Sequence, residues 1–297
     1  TYSDDYLKER LRISWLKYKA KRGHWLDFQA FYKPTSNATL ACHYAWSLFK
    51  TGKSKQGQKE ALKLWMVGQS QPKACDKVFN HLYSARLITR EHLWKRIDLA
   101  LERNEVTLSR YLAKRFTKSK DKSRFKALIA MHQSPQKQLS KYATKKRTVW
   151  NRYVVEHGLK RFAGWEPEKA RHHLYRLNPR YNFSHQAFMK IRNKIALNAA
   201  LQYHPKALDW MQAIPDKEMT KVLREWMARA ALRRQQWDVV VDVIRKIPPS
   251  LRQDSEWIYW HGRALDGLGL YQAAQTQWQK IATGRHYYGF LAADALS

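Results

Sequence analysis

A repeat near the C-terminus constrains the fold more than any other feature of this sequence. Three pairs of residues recur at an offset of 34: Arg229 and Arg263, Trp237 and Tyr271, Ile247 and Ile281. The dipeptide Ile214-Pro215 precedes Ile247-Pro248 by 33 residues. A period of 33 to 34 residues that holds two helices is typical of tetratricopeptide repeats. The repeat therefore predicts helical hairpins in this part of the chain.

Helical periodicity extends well beyond the repeat. Apolar residues that follow the spacing of one helix face are Met219, Val222, Leu223, Trp226 and Ala230. The nine prolines lie where apolar periodicity stops or restarts, as expected for a residue without a backbone N–H. Asp266-Gly267 is a dipeptide typical of β-hairpins, but no alternating apolar runs flank it, so we predict no hairpin there. Typical helix and loop lengths give about 18 helices.

A single two-helix unit cannot bury its own apolar face, so such units stack. The segment around Ala264, Tyr271, Ala274 and Trp278 alternates small and large residues, which predicts close helix pairs with aromatic rings filling the gaps. We predict an all-α fold, a right-handed α-superhelix (solenoid) of stacked helical hairpins that is tetratricopeptide-like towards the C-terminus. Residues 1–297 form one superhelical domain in this prediction, with a subdivision into 1–180 and 181–297 as an option.

The chain is strongly basic, with a formal net charge of +32 from 56 Lys and Arg against 24 Asp and Glu. Two interpretations stay open: a solvated surface, or an anionic partner such as nucleic acid, an acidic membrane surface or a polyanionic cell-wall polymer. The densest cationic cluster covers 114–126, but no zinc-finger, RNA-recognition or basic-zipper motif is present. No stretch has the roughly 18 uncharged apolar residues of a membrane-spanning helix.

The chain has two cysteines, Cys42 and Cys75, which are 33 residues apart. Inert core thiols and a disulfide between consecutive helices are both compatible with this spacing. A structural zinc site needs four ligands, and no Cys-x-x-Cys or paired histidine motif accompanies the cysteines. We therefore predict no metal site and no cofactor.

The stretch around the cysteines carries a family resemblance. Its characteristic elements are Cys42, Tyr44, Thr51-Gly52, Leu64-Trp65, Gly68, Ser70-Gln71-Pro72 and Ala74-Cys75-Asp76-Lys77. This pattern resembles the soluble lytic transglycosylases, periplasmic enzymes that cleave the glycan strands of peptidoglycan. In that family the two cysteines are joined, so the resemblance implies a Cys42–Cys75 disulfide.

A second match lies near the C-terminus, in Asp254, Glu256-Trp257, Tyr259-Trp260 and 287–293. It resembles the last superhelical turns before the family's lysozyme-like catalytic domain. By this resemblance Tyr287, Tyr288 and Phe290 are expected to contact that domain.

The family's catalytic motifs are missing, because no Glu-Ser and no Gly-Leu-Met occurs in the sequence. We expect surface ion pairs at the acidic residues Glu60, Glu91, Glu102, Glu156, Glu218 and Glu256. No catalytic residue is assigned to this chain, and the catalytic domain is expected after residue 297. Because the chain starts at Thr1, we expect a removed targeting segment or an excised part of a longer protein.

The resemblance implies the scaffold portion of a periplasmic lytic transglycosylase, whose reaction gives 1,6-anhydro-muropeptides without water. This portion is expected to be inactive alone and to position or bind peptidoglycan strands through a basic, aromatic-rich surface. The expected partners are those strands and the protein's own catalytic domain, with no nucleic acid, no integral membrane segment and a monomeric state. The alternatives are a stand-alone helical-repeat scaffold for protein partners and, less in keeping with a disulfide, a helical-repeat RNA binder.

Overall fold

A computed structural model describes residues 4–297 of the chain. Within that range the structure has 19 α-helices, two short 3-10 helices and no β-strand. The dipeptide Asp266-Gly267 ends the helix Ser255–Gly267 and forms no β-hairpin, as predicted. The chain divides into two compact units, Thr1–Ile129 and Ala130–Ser297. The predicted subdivision at residue 180 stays a prediction.

The first unit consists of short helices joined by tight connections. Its elements are α1 (Asp4–Arg22), α2 (Trp25–Phe31), α3 (Ala38–Lys50), α4 (Ser54–Trp65), a 3-10 helix (Lys73–Cys75), α5 (Asp76–Ser84), α6 (Arg90–Glu102), α7 (Val106–Ala113) and the larger part of α8 (Ser119–Gln133).

Local sequence signals begin several of these helices. The Asn37 side chain accepts a hydrogen bond from the Leu40 backbone N–H at 3.3 Å and so caps α3. Thr89 and His92 form a reciprocal capping box at the start of α6. Both caps satisfy backbone donors that a helix leaves unpaired in its first turn.

The connection from α4 to α5 is held by contacts specific to it. Arg96 on α6 is buried, donates to the Val67 carbonyl at 3.2 Å, and lies over the Trp65 ring at 4.6 Å. Burial lowers the pKa of the Arg96 guanidinium. Gly68 packs so closely on α6 that an added Cβ would lie 2.2 Å from the Leu99 carbonyl oxygen. Only glycine fits this backbone approach.

The second unit contains the remaining helices, among them longer helical pairs. They are α9 (Pro135–Tyr142), α10 (Val149–Phe162), α11 (Pro167–Tyr181), α12 (His185–Leu201), α13 (Ala207–Gln212), a 3-10 helix (Asp216–Glu218), α14 (Lys221–Arg233), α15 (Trp237–Lys246), α16 (Pro249–Arg252), α17 (Ser255–Gly267), α18 (Tyr271–Gln279) and α19 (Tyr287–Leu296).

The helices of the second unit follow the sequence repeat. Helices α14 and α17 begin at Lys221 and Ser255, and α15 and α18 begin at Trp237 and Tyr271, so both offsets are 34. Helices α14 and α15 pack together as one hairpin, and α17 and α18 pack together as the next. Helix α15 also packs against α17. The structure therefore confirms the predicted hairpins and their period.

Helix α17 carries small residues where indole rings approach it. A Cβ added at Gly262 would lie 2.4 Å from the Trp278 ring, and one added at Gly267 would lie 2.6 Å from the Trp237 ring. Trp278 is almost fully buried and donates from Nε1 to the Tyr259 carbonyl at 3.3 Å. The predicted small-to-large packing is therefore present, although Tyr271, counted among the packing aromatics, is exposed.

Candidate ligand-binding pocket

The two cysteines form the disulfide that the resemblance implies. Cys42 lies on α3 and Cys75 ends the 3-10 helix before α5, with 5.0 Å between their Cα atoms. Both residues are fully buried. The bond therefore ties α3 to the end of the α4–α5 connection, and its role in the chain is structural.

The three aromatic residues predicted to meet a catalytic domain lie on α19 and divide between two faces. Tyr287 and Phe290 are 69% and 61% exposed. Tyr288 is half-buried, with its ring centroid 5.7 Å from that of Tyr259. Gly289 lets the helix start close to the Gly284 carbonyl. Of the three aromatic residues, Tyr287 and Phe290 are therefore accessible to a neighbouring domain, and Tyr288 is packed inward.

Three of the six glutamates expected to form surface ion pairs do so, and a fourth, Glu218, is hydrogen-bonded to His185 at 2.9 Å. The nitrogen–oxygen distances of the ion pairs are 2.9 Å for Glu60–Lys63, 3.6 Å for Glu91–Arg90 and 2.9 Å for Glu256–Arg229. For Glu102 and Glu156 the expectation is wrong, since neither forms an ion pair with any residue of the described part of the chain.

Glu156 on α10 is the glutamate whose surroundings come nearest to those of a catalytic acid. Burial raises the pKa of its carboxyl, while Lys160, Arg152 and Lys190 oppose that rise. A general acid also needs access to a substrate. Glu156 does not line the cavities beside α12–α15 or beside α11, so its carboxyl faces no substrate-sized space there.

The second unit also holds a pair of buried histidines. His132 Nδ1 and His157 Nε2 lie 3.1 Å apart. Burial, with the nearby Arg161, lowers the pKa of His132 to about 4. Burial, with His132 as the next cause, lowers that of His157 to about 3. Both rings are therefore neutral near pH 7, and no group of three or more potential metal ligands occurs among residues 4–297.

A cavity of about 350 Å³ lies between the α12–α13 connection and α14. The connection contributes Tyr203 and Pro205, and α14 contributes Trp226, Ala230 and Arg233. Aromatic faces and a few converging polar groups are the usual lining of a small-molecule site. This cavity is the candidate ligand-binding pocket of the chain.

Three arginines line the pocket, and two of them are neutralised. Arg229 pairs with Glu256 at 2.9 Å, and Arg234 pairs with Asp209 at 2.6 Å. Arg233 forms no ion pair with any carboxylate among the described residues. Its guanidinium carbon lies 3.6 Å from the centroid of the Tyr203 ring. The pocket therefore presents one uncompensated positive charge beside an aromatic face.

The backbone at Tyr203 adopts a conformation that a bulky residue rarely takes. Its φ is +58°, in the left-handed region, at the position just after the end of α12. Its N–H donates to the Ala200 carbonyl at 3.0 Å, and the next N–H donates to the Ala199 carbonyl at 2.8 Å. This hydrogen-bonded ending usually has glycine or asparagine at that position. Arg86 and Gln235 end their helices in the same way, and at position 203 this ending places a tyrosine that is 63% exposed at the rim of the pocket.

A second cation–aromatic cluster flanks the pocket. Arg171 on α11 lies 4.8 Å from the Tyr175 ring centroid and 5.2 Å from that of Trp210. The Trp210 ring stacks on His204 at 4.7 Å. His204 and Lys206 both reach Glu168, at 3.5 and 3.4 Å, so the charges here are partly compensated. These residues brace the connection that carries Tyr203.

Comparisons with known proteins add the family context. No family model matches the chain. A soluble lytic murein transglycosylase of Escherichia coli K12 is 23% identical over 279 residues, and that of Salmonella typhimurium is 22% identical over 294; each match covers 93% of this chain. A crystal structure of an inactive mutant of the lytic transglycosylase Slt from Pseudomonas aeruginosa superposes on 96% of the chain, with 32% identity and a TM-score of 0.82.

The chain is homologous to part of the soluble lytic murein transglycosylases.

The match covers nearly all of this chain but less than half of each of these transglycosylases. The chain spans 43% of the length of the curated relatives and 47% of the Pseudomonas aeruginosa protein. The 70-kDa soluble lytic transglycosylase of Escherichia coli gives a TM-score of 0.70 at 22% identity, which supports the fold alone. The all-α class predicted from the repeat is thereby confirmed. No helix among residues 4–297 has the length and apolarity needed to span a membrane.

The candidate pocket was not predicted from the sequence. Trp226 and Arg229 entered only through helical periodicity and the repeat, while Tyr203 and Arg233 did not enter at all. These two residues are 30 positions apart on different elements, so no local pattern joins them. The one available signal is the ending of α12, where tyrosine stands at a position that normally favours glycine.

Proposed function

We propose that this chain is the scaffold portion of a periplasmic lytic transglycosylase, and that it positions or binds the peptidoglycan strands cut by a catalytic domain elsewhere in the protein. The observation that carries the proposal is the 96% coverage of this chain by the Pseudomonas aeruginosa enzyme at a TM-score of 0.82. The Cys42–Cys75 disulfide supports an oxidising compartment such as the periplasm. The net charge of +32 supports an anionic partner.

A test on intact murein sacculi separates binding from cutting. The purified chain is incubated with sacculi at 20 mM and 300 mM salt, and the pellet and the released fragments are analysed by mass spectrometry. We expect the chain to sediment with murein at low salt and less at high salt, because exposed charges are screened over about 10 Å at 0.1 M. We expect no 1,6-anhydro-muropeptides from the chain alone.

The Glu156→Gln variant controls this assay. Release of anhydro-muropeptides by the unmodified chain, abolished by Glu156→Gln, would overturn the scaffold proposal and identify Glu156 as a catalytic acid. A chain that fails to sediment at either salt concentration would favour the alternative, a helical-repeat scaffold for protein partners.

The outward face of α19 is the proposed contact with the catalytic domain. Tyr287 and Phe290 expose large apolar surface at the C-terminal end of the chain, while Tyr288 packs inward. In the full-length protein we expect the Tyr287→Ser/Phe290→Ser variant to slow murein cleavage at least threefold, with the melting temperature of the chain alone unchanged.

A matched control removes exposed apolar groups elsewhere. Tyr111 and Val149 are also exposed, on helices α7 and α10. Cleavage by the Tyr111→Ser/Val149→Ser variant should match the unmodified protein. Equal cleavage by both variants would contradict the contact at α19. Sedimentation equilibrium of the chain tests the proposed monomeric state.

A further inference from the structure

The pocket between α12 and α14 has the charge of a site for one anionic group. Arg229 and Arg234 are paired with carboxylates, whereas Arg233 lies over the Tyr203 ring and pairs with no carboxylate of residues 5–297. A guanidinium offers parallel N–H donors that match the two oxygens of a carboxylate. Because the ring covers one face of the guanidinium, its edge stays available to a ligand.

The pocket is large enough for the end of a short peptide but too small for a glycan strand. A volume of about 350 Å³ lies near the lower limit of cavities that hold small ligands, roughly 300 to 1,000 Å³. Three of the residues that line the pocket are small, namely Ala200, Ala207 and Ala230. A short peptide end fits this lining, and a chain of several sugar rings exceeds it.

The contact of the Tyr203 ring with Arg233 supports a binding role for this lining. A φ of +58° is less favourable for tyrosine than for glycine. The same left-handed conformation occurs at Arg86, Asn104, Asn182 and Gln235, so it is a recurrent way of ending helices in this chain. What distinguishes position 203 is its ring, which lies on the one of the three pocket arginines that pairs with no carboxylate of the described residues.

We propose that this pocket binds the terminal carboxylate of a short peptide whose last residue is small. Arg233 receives the carboxylate, Tyr203 and Trp226 flank the peptide, and the alanines accept the last side chain. Within the proposed function, on which the choice of peptide rests, the ligand is the D-alanine end of a peptidoglycan stem peptide.

Calorimetric titration with a matched pair of peptides tests the proposal. The probes are diacetyl-L-Lys-D-Ala-D-Ala and the same peptide with a C-terminal amide, with neutral tri-N-acetylchitotriose as a third arm. We expect the acid to bind at least tenfold tighter than the amide and the sugar not to bind. Equal affinity of acid and amide, or preference for the sugar, overturns the proposal.

Two arginine variants separate the pocket from general charge. Arg233→Gln removes a guanidinium that lies over a tyrosine, and so does Arg22→Gln in α1, where the guanidinium lies 5.3 Å from the Tyr18 ring centroid. Both variants lower the net charge by one. We expect Arg233→Gln to weaken binding of the acid at least tenfold and Arg22→Gln less than twofold. Equal losses would assign the binding to overall charge and overturn the proposal.

Tyr203→Gly guards against a loss that reflects misfolding. Glycine adopts a positive φ without strain, so the melting temperature should stay within about 2 °C of the unmodified chain. Binding of the acid should nevertheless weaken at least threefold. If affinity is unchanged, Tyr203 does not contribute to the site and the proposal fails.

Sacculus sedimentation, run in parallel, distinguishes this proposal from the proposed function. A chain that sediments with murein but does not discriminate acid from amide refutes the pocket and leaves the scaffold proposal intact. A chain that discriminates the peptides but does not sediment refutes the murein role and supports a carboxylate site of another purpose.

Discussion

The α3–α6 region and the α14–α18 region hold their helices together by different means. In the first, the α4–α5 connection is anchored by contacts that occur once: the disulfide, the buried Arg96 and the close approach of Gly68. In the second, helices in a 34-residue register pack glycine against indole. In the regularly spaced repeats, complementary side-chain sizes hold the helices together. The irregular α4–α5 connection is instead held by a disulfide, a buried arginine and a glycine contact, each of which occurs once.

Removing an indole should cost the repeats most. Trp278→Ala empties the space beside Gly262, and deletion of a buried tryptophan typically costs 3–5 kcal/mol. We expect a loss of about 4 kcal/mol in the free energy of unfolding, measured by urea denaturation. Hydrogen exchange should show the loss in α17 and α18. Protection lost equally in α3–α6 would contradict the contrast between the two regions.

Removing the disulfide tests the other region. Cys42→Ala/Cys75→Ala opens a loop of 33 residues, and a disulfide of this kind typically contributes 2–4 kcal/mol. We expect a loss of about 3 kcal/mol, seen in α3 and α5 by hydrogen exchange. The unmodified chain under reductant should behave in the same way. Unchanged exchange in α3 would show that Arg96 and Gly68 suffice without the bond.

A double-mutant cycle tests whether size complementarity governs the repeats. The positions 34 residues before Gly262 and Trp278 hold Ala228 and Ile244, both fully buried. Gly262→Ala alone drives a methyl group into the indole, and Trp278→Ile alone leaves a gap. The double variant restores the pair of the earlier repeat, so we expect the two substitutions to compensate by about 2 kcal/mol. Additive losses in urea denaturation would break the argument.

Acid should weaken the second unit through its buried histidines. Burial lowers the pKa of His132 to about 4 from a usual value of 6.5. The unfolded chain therefore takes up a proton as pH falls through 6.5 while the folded chain does not, so stability is lost from pH 6.5 down to about 4. His132→Gln should remove about 1 kcal/mol of the change between pH 6.5 and 5.5. The exposed His185→Gln is the control, and an unchanged pH slope for His132→Gln would refute the assignment.

Most of the helical framework could be predicted because it depends on local periodicity. The spacing of apolar residues and the 34-residue offset in the sequence are enough to predict the hairpins of α14 to α18. The Cys42–Cys75 bond needed the family resemblance, because spacing alone is equally compatible with two free thiols.

The pocket and the ion pairs depend on contacts that sequence patterns do not encode. Arg229 and Arg234 have carboxylate partners, which come from α17 and α13, whereas Arg233 has none among the described residues. Glu156 has Arg152 and Lys160 four residues away but forms an ion pair with neither, whereas Glu102 has no cation three or four residues away. Side-chain reach and burial decide these cases, and both follow from tertiary packing.

The indole against Gly262 also restricts how this part of the chain can diverge. A residue larger than glycine fits at position 262 only if position 278 already has a side chain smaller than tryptophan. A smaller side chain at position 278 leaves a gap unless position 262 already has a larger residue. Either path passes through a weakened intermediate. Relatives should therefore have either glycine with tryptophan or alanine with an aliphatic residue at these two sites, and rarely a mixture of the two.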